Sequence, residues 1–185
     1  MAEDPHEADT VIIAPPHQPS SLLDALRARR TEMAEEQTTE LLIPGYHGML
    51  GLRVGPLTGR EQSRLTNRMA QSKSPDREAT YNADTLITAT REIVVRDAED
   101  QPWQSLGSLN GGDPVGVDDR LIELLALEVP ARTARATLRA LFGMAPSPDI
   151  AINLASAEYI TWAGGVSEDI DTEYVGESRS APKSG

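Results

Sequence analysis

The chain has 185 residues, contains no cysteine and carries a formal net charge of -12, with 17 basic residues against 29 acidic ones. The lack of cysteine excludes disulfides, thiolate nucleophiles and cysteine-zinc sites, and the acidic balance disfavours nucleic acid or an anionic membrane as a partner. Because only 4% of the residues are aromatic, any core must consist mainly of Leu, Ile, Val and Ala.

The first 37 residues are predicted to form an arm followed by a helix. Residues 1–19 are rich in proline and charge and lack the order of a signal peptide, so we expect a disordered arm. Residues 20–37 have helical spacing, with a thin apolar stripe that includes Leu22, Leu23 and Leu26. So thin a stripe indicates either weak packing on the domain or packing on a partner, and these leucines are candidate partner-binding residues.

Residues 38–163 are predicted to form one compact, mainly helical domain. Its first part contains two strand-like runs, 38–43 and 50–54, around a glycine-rich turn, which predicts a hairpin. Thr58 and Glu61 then have the spacing of a capping box, which predicts the start of a helix.

The second part of the domain is predicted to be helical around one long loop. Ser74-Pro75-Asp76 predicts a helix start with Ser74 as the cap, and residues 91–97 fit either a short strand or the end of that helix. Residues 98–116 are predicted to be a loop because proline and glycine recur there. Two short helices then lie on either side of Pro130. The residues that we expect these two helices to contribute to the core are Leu121, Leu124, Leu125, Leu138, Leu141 and Phe142.

The last predicted helix begins at Pro148, after Ser147 as its cap, and ends at Trp162 before a pair of glycines. Residues 164–185 are acidic and then serine-rich, and we expect a disordered tail. The predicted fold is therefore mainly α: a small helical domain with a minor β-hairpin and flexible N- and C-terminal arms.

Two aromatic residues near the end of the last helix, Tyr159 and Trp162, are three positions apart and can face the same side. Packing in the core is the favoured interpretation. The alternative is an aromatic anchor for a partner, since Trp and Tyr are common in interface hot spots. Both residues are therefore candidate partner-binding residues, together with the three leucines of the N-terminal helix.

No motif predicts catalysis, a cofactor or a metal site. The three histidines, His6, His17 and His47, are scattered and lack the HExxH spacing of a zinc helix. The glycine-rich stretches lack the GK[ST] ending of a phosphate-binding loop, and there is no GxSxG element. We therefore predict a protein that is not an enzyme; a small enzyme or metal protein is the less favoured alternative.

Several clusters of charged residues lie in the second half of the chain, and two of them have a structural interpretation. Asp118 and Asp119 precede a predicted helix, where negative charge interacts favourably with the helix dipole. Arg132, Arg135 and Arg139 share one helix face. Such a stripe could bind DNA, but the net charge of the chain favours a solvated face or pairing with acidic neighbours.

Four stretches, in their order along the chain, carry a resemblance to a known family: GLRVGPLTGREQSRL, YNADTLITATREIVVRD, VDDRLIELLAL and ATLRALFGMAPSPDIAINLASAEYITWAGG. This order resembles the tail assembly chaperones of long-tailed, siphovirus-like phages that infect actinobacteria. The matching positions are Thr58, Glu61, Ala83, Asp84, Leu86, Ile87, Val95 to Asp97, Asp119 to Leu121, Leu125, Arg135 to Gly143, Trp162 and Gly176 to Ser178.

The resemblance implies a non-enzymatic protein that binds the tape measure protein and tail tube subunits during tail assembly. It would act in the host cytoplasm and be absent from the finished particle, and many members are also made in a frameshifted long form. Self-association is a further candidate interaction, and neither nucleic acid nor a membrane is expected as a partner. The alternative is a structural virion protein, either a head–tail connector or a minor capsid or tail component.

Overall fold

The computed structural model describes residues 22–25 and 37–178, with side chains described as far as residue 166. The chain divides into two compact units, Met1–Met33 and Ala34–Gly185.

In the first unit, residues 22–25 are helical, as predicted, and the side chains of Leu22 and Leu23 are exposed. The predicted arm over residues 1–19 and the candidate residue Leu26 lie outside the described residues.

The second unit contains a four-stranded antiparallel sheet with the strand order β1-β2-β3-β4. Strands β1 (Thr39–Leu42) and β2 (Leu50–Val54) form the predicted hairpin. Strand β3 (Thr90–Val95) pairs with β2, so residues 91–97 contain a strand and not only a helix end. Strand β4 (Gln104–Ser105) completes the sheet, and the β part of the fold is therefore larger than the predicted hairpin.

Helices contain more of the described residues than strands do, but the four-stranded antiparallel sheet makes the fold a mixture of helices and strands, so the prediction of a mainly α domain holds only loosely. Helices α1 and α2 lie between β2 and β3 in the chain, and the others follow β4. In chain order the helices of the second unit are α1 (Gly59–Gln71), α2 (Arg77–Ala89), α3 (Leu106–Leu109), α4 (Asp119–Leu124), α5 (Ala134–Leu141) and α6 (Pro148–Ser178).

The loop predicted over residues 98–116 is wrong in part, because it contains β4 and α3. Arg96 helps to hold this segment: its guanidinium lies 4.3 Å from the ring centroid of Trp103 and donates to the carbonyl oxygens of Gly48 and Glu99. These contacts join the segment to the hairpin turn, and proline and glycine content alone does not reveal them.

The start of α1 confirms the predicted capping box, since the Thr58 hydroxyl accepts the Glu61 N–H and the Glu61 carboxylate accepts the Thr58 N–H. The start of α2 differs from the prediction. The Ser74 hydroxyl accepts the N–H of Asp76 within a turn, and the helix begins only at Arg77.

The core lies between the sheet and the helices. Alternate positions of β2, Leu50, Leu52 and Val54, face it. Four of the six predicted core residues are fully buried there, and the other two, Leu124 and Leu125, are half-buried and pack against it. The four that are fully buried are Leu121, Leu138, Leu141 and Phe142.

The predicted end of the last helix is wrong, because α6 continues through Gly164 and Gly165 to Ser178. Neither glycine has the positive φ with which glycine ends a helix. Ala163 and Val166, on either side of the pair, are half-buried. Ala163 packs against the core just before the pair, and the tail predicted from residue 164 is helical over its described part.

Replacing both glycines by alanine (G164A/G165A) should stabilise α6. Among the described residues, a methyl group at either position would meet no atom beyond the adjacent turns of the helix within 4 Å, and alanine is favoured over glycine by about 1 kcal/mol per helical position. We expect a stronger helical circular dichroism signal and a higher melting temperature. A lower melting temperature would show that a glycine ends the helix in the left-handed conformation. Gly107→Ala is the opposite control, since its Cβ would lie 2.0 Å from the Asp113 carbonyl oxygen.

Candidate functional site

A buried carboxylate joins three helices of the domain. Asp84, on α2, is 8% exposed. Arg135 of α5 binds it with two hydrogen bonds, from Nε to Oδ1 at 2.6 Å and from Nη2 to Oδ2 at 2.7 Å. Arg68 of α1 donates from Nη1 to Oδ2 at 3.0 Å. One side chain thus connects α1, α2 and α5.

The arginines keep Asp84 ionised. Burial acts to raise the pKa of its carboxyl, but the hydrogen bonds and positive charges of Arg135 and Arg68 outweigh burial and lower that pKa below its ordinary value. The same contact raises the pKa of Arg135. A carboxylate with a lowered pKa and both oxygens occupied is a weak proton acceptor, so the cluster is suited to holding helices together and not to acid–base catalysis.

A cavity of about 300 Å³ adjoins this cluster between α1, α2 and α5. Its wall includes apolar side chains, Leu65 and Met69, and the ring of Tyr81, beside the guanidinium groups. Among the residues with described side chains, no group of three or more His, Asp or Glu side chains could hold a metal ion, either here or elsewhere.

The three arginines predicted on one face are paired with acidic residues. Besides the Arg135 contact, Arg139 binds Asp149 at 2.9 Å. Arg132 lies 3.7 Å from Glu123 and 3.9 Å from Asp119. The interpretation that acidic neighbours pair with this stripe is therefore confirmed.

The acidic pair at the start of α4 has the predicted structural role. The Asp118 side chain caps the helix by accepting the N–H groups of Arg120 and Leu121, and Asp119 lies in the first turn.

The two aromatic candidates of α6 differ in exposure. Tyr159 is 3% exposed and donates its hydroxyl to the Gly55 carbonyl oxygen at 3.3 Å, so it belongs to the core, as the favoured interpretation held, and cannot be an exposed anchor. The ring of Trp162 lies 6.0 Å from that of Tyr159, centroid to centroid, and is half-buried. Contact with a partner remains a prediction for Trp162, as it does for Leu22, Leu23 and Leu26.

Apolar residues lie on both sides of α6, whereas the sequence analysis considered only Tyr159 and Trp162 on this helix. Ile152, Ala155 and Tyr159 face the core. On the opposite side, Ile150 is 60% exposed and Leu154 is 66% exposed.

At 3.6 residues per turn, four exposed residues of α6 follow one line along the helix, with spacings of four, three and four. We call this line the outer stripe; it consists of Ile150, Leu154, Ala157 and Thr161. Its spacing is visible in the sequence, but periodicity alone does not show which of two apolar faces is inside.

Comparison with known proteins gives no match, whether to a family model, to a curated protein or to a solved structure. Within the part of the chain that the structure describes, none of the helices combines the length and the apolar character needed to cross a membrane.

Replacing Asp84 by asparagine should destabilise the domain by about 1–3 kcal/mol, because charge-assisted hydrogen bonds are lost. The cost is limited because the side chains of Arg68 and Arg135 are about half exposed and can regain water. Urea unfolding would measure the change. Asp149→Asn is the matched control: it removes an exposed ion pair and should cost less than about 1 kcal/mol. Equal losses in the two variants would contradict the role given to Asp84.

The contribution of Asp84 should also depend on pH. Since the pKa of its carboxyl is lower in the folded state than in the unfolded state, the contribution is complete above the unfolded pKa, near 3.9, and is lost as pH falls through the folded pKa. The stability difference between the wild type and Asp84→Asn should thus be constant near neutral pH and shrink below about pH 4. A difference that grows on acidification would refute this assignment.

Proposed function

We propose that this chain is a non-enzymatic phage tail assembly chaperone that binds the tape measure protein and tail tube subunits during tail assembly. The observation that supports it best is the outer stripe of α6. Two of the exposed large apolar side chains of the domain, Ile150 and Leu154, stand in line on the side of α6 that faces away from the core. Aligned apolar residues of this kind are typical of a surface that a partner covers.

The charge of the chain supports the same function. A net charge of -12 keeps a protein dispersed while it holds an apolar client, because like charges repel neighbouring complexes. The Asp84 cluster also supports a binding role over a catalytic one, since its carboxylate oxygens are engaged by arginines.

The alternative is a structural virion protein, either a head–tail connector or a minor capsid or tail component. In that case a neighbouring subunit would cover the outer stripe permanently. The two functions differ in whether the protein stays in the particle.

Mass spectrometry of purified particles, beside a lysate of infected cells, tests the proposal on the phage that encodes this chain. We expect the protein in the lysate and not in the particles, because a chaperone leaves its client when the tail is complete. A stoichiometric amount in the particles would overturn the proposal and favour the structural alternative. The major tail tube protein, measured in both samples, is the control for recovery.

A further inference from the structure

We infer that the outer stripe of α6 binds a basic amphipathic α-helix of a partner protein. The inference rests on the proposed function, because it names the class of client segment and the surface that receives it. Three properties of the described residues support it: the length and side-chain sizes of the stripe, the hydrogen bonding of its polar groups, and the charge of the helix.

The stripe has the dimensions of a helix-binding surface. From Ile150 to Thr161 it extends over about 17 Å, at 1.5 Å per residue. Its first half carries the large side chains, and its second half carries small ones, at Ala157 and Thr161. Small residues let the backbone of a second helix approach closely, and Ile160, which is half exposed, widens the apolar surface beside them.

Covering the stripe leaves no polar group of its side chains without a hydrogen bond. The Thr161 hydroxyl donates to the Ala157 carbonyl oxygen at 3.0 Å, within the same helix. The other side chains of the stripe are hydrocarbon, and the backbone of a helix is hydrogen-bonded internally. A partner can therefore exclude water here without the penalty for burying an unpaired polar group.

The negative charge of α6 favours a partner segment that is basic. Its 31 residues include seven acidic ones and no Lys, Arg or His. Glu158 is exposed beside the stripe, and Asp149 lies on the other flank, where it is paired with Arg139. Lysines or arginines beside an apolar stripe in the partner would meet the exposed carboxylate of Glu158, whereas the charge of Asp149 is already paired with Arg139. A second copy of the chain fits poorly, since two α6 helices would bring like charges together.

The test uses the full chain and a defined probe: a fluorescein-labelled peptide of about 18 residues, made of Leu and Lys with Leu at helical i, i+3, i+4, i+7 spacing. One comparison peptide has the same composition in scrambled order, and another has Glu in place of Lys. Fluorescence anisotropy at about 0.15 M salt should show saturable binding to the amphipathic basic peptide. Both comparison peptides should bind at least about tenfold more weakly.

Variants locate the site. The double variant I150Q/L154Q should weaken binding of the basic peptide by at least about tenfold, because it removes the two large apolar contacts. Leu109→Gln is the matched control: Leu109 is 59% exposed, lies on α3 and undergoes the same chemical change. It should leave the affinity unchanged. Both proteins should melt close to the wild type, since the replaced side chains are exposed.

Three results would overturn the inference: equal binding by I150Q/L154Q and the wild type, equal binding of the scrambled and amphipathic basic peptides, or wild-type self-association in sedimentation that I150Q/L154Q abolishes. The last result would assign the stripe to a second copy.

The peptide result does not depend on whether the protein stays in particles. If the protein is found in particles and binds the basic peptide, only the chaperone function is refuted. If it is absent from particles and does not bind the basic peptide, only this inference is refuted.

Discussion

The arrangement of the helices depends on the ion cluster at Asp84. Helix α2 leads directly into β3 and packs against α1, α5 and α6. Of these contacts, two are fixed by the same carboxylate, through Arg68 and Arg135. The guanidinium of Arg135 must present two N–H groups to two oxygens, so it fixes the rotation of α5 as well as its distance from α2.

A buried ion pair is weak support for stability on its own account, because the desolvation of the charges opposes their attraction. Its value here is that it specifies which positions meet. Apolar contacts between helices tolerate small shifts in register, whereas the bidentate contact of Arg135 with Asp84 tolerates them less well. Helices α2 and α6 are also joined by a polar contact, in which the Asn82 side-chain amide donates to the Asn153 side-chain oxygen at 2.9 Å.

Once α6 is fixed in this way, its outer side is fixed too. Ile152, Ala155 and Tyr159 are committed to the core, so rotation of the helix cannot hide Ile150 or Leu154. An amphipathic helix would present polar residues at these positions. Helix α6 instead has apolar residues on two faces, one in the core and the other on the surface of the described domain.

The sequence predicted the elements whose signals are local and missed the features that depend on distant residues. The capping box of Thr58 and Glu61 and the hairpin follow from neighbouring residues alone. The cluster at Asp84 joins positions 16 and 51 residues apart, which a spacing rule does not connect. At Gly164-Gly165 local propensity favoured a helix end, but the helix continues through the pair, with Ala163 packed against the core just before it.

The distribution of charge opposes association of the outer stripe with a second copy of the chain. Helix α1 contains three arginines and one acidic residue, and Arg132, Arg135 and Arg139 are paired with acidic residues, whereas α6 contains only acidic charge. The acidic excess is thus concentrated along the helix that bears the stripe. Repulsion between two such helices opposes self-association through the stripe, and it becomes attraction when a basic helix approaches. The same charges therefore protect the surface and select its partner.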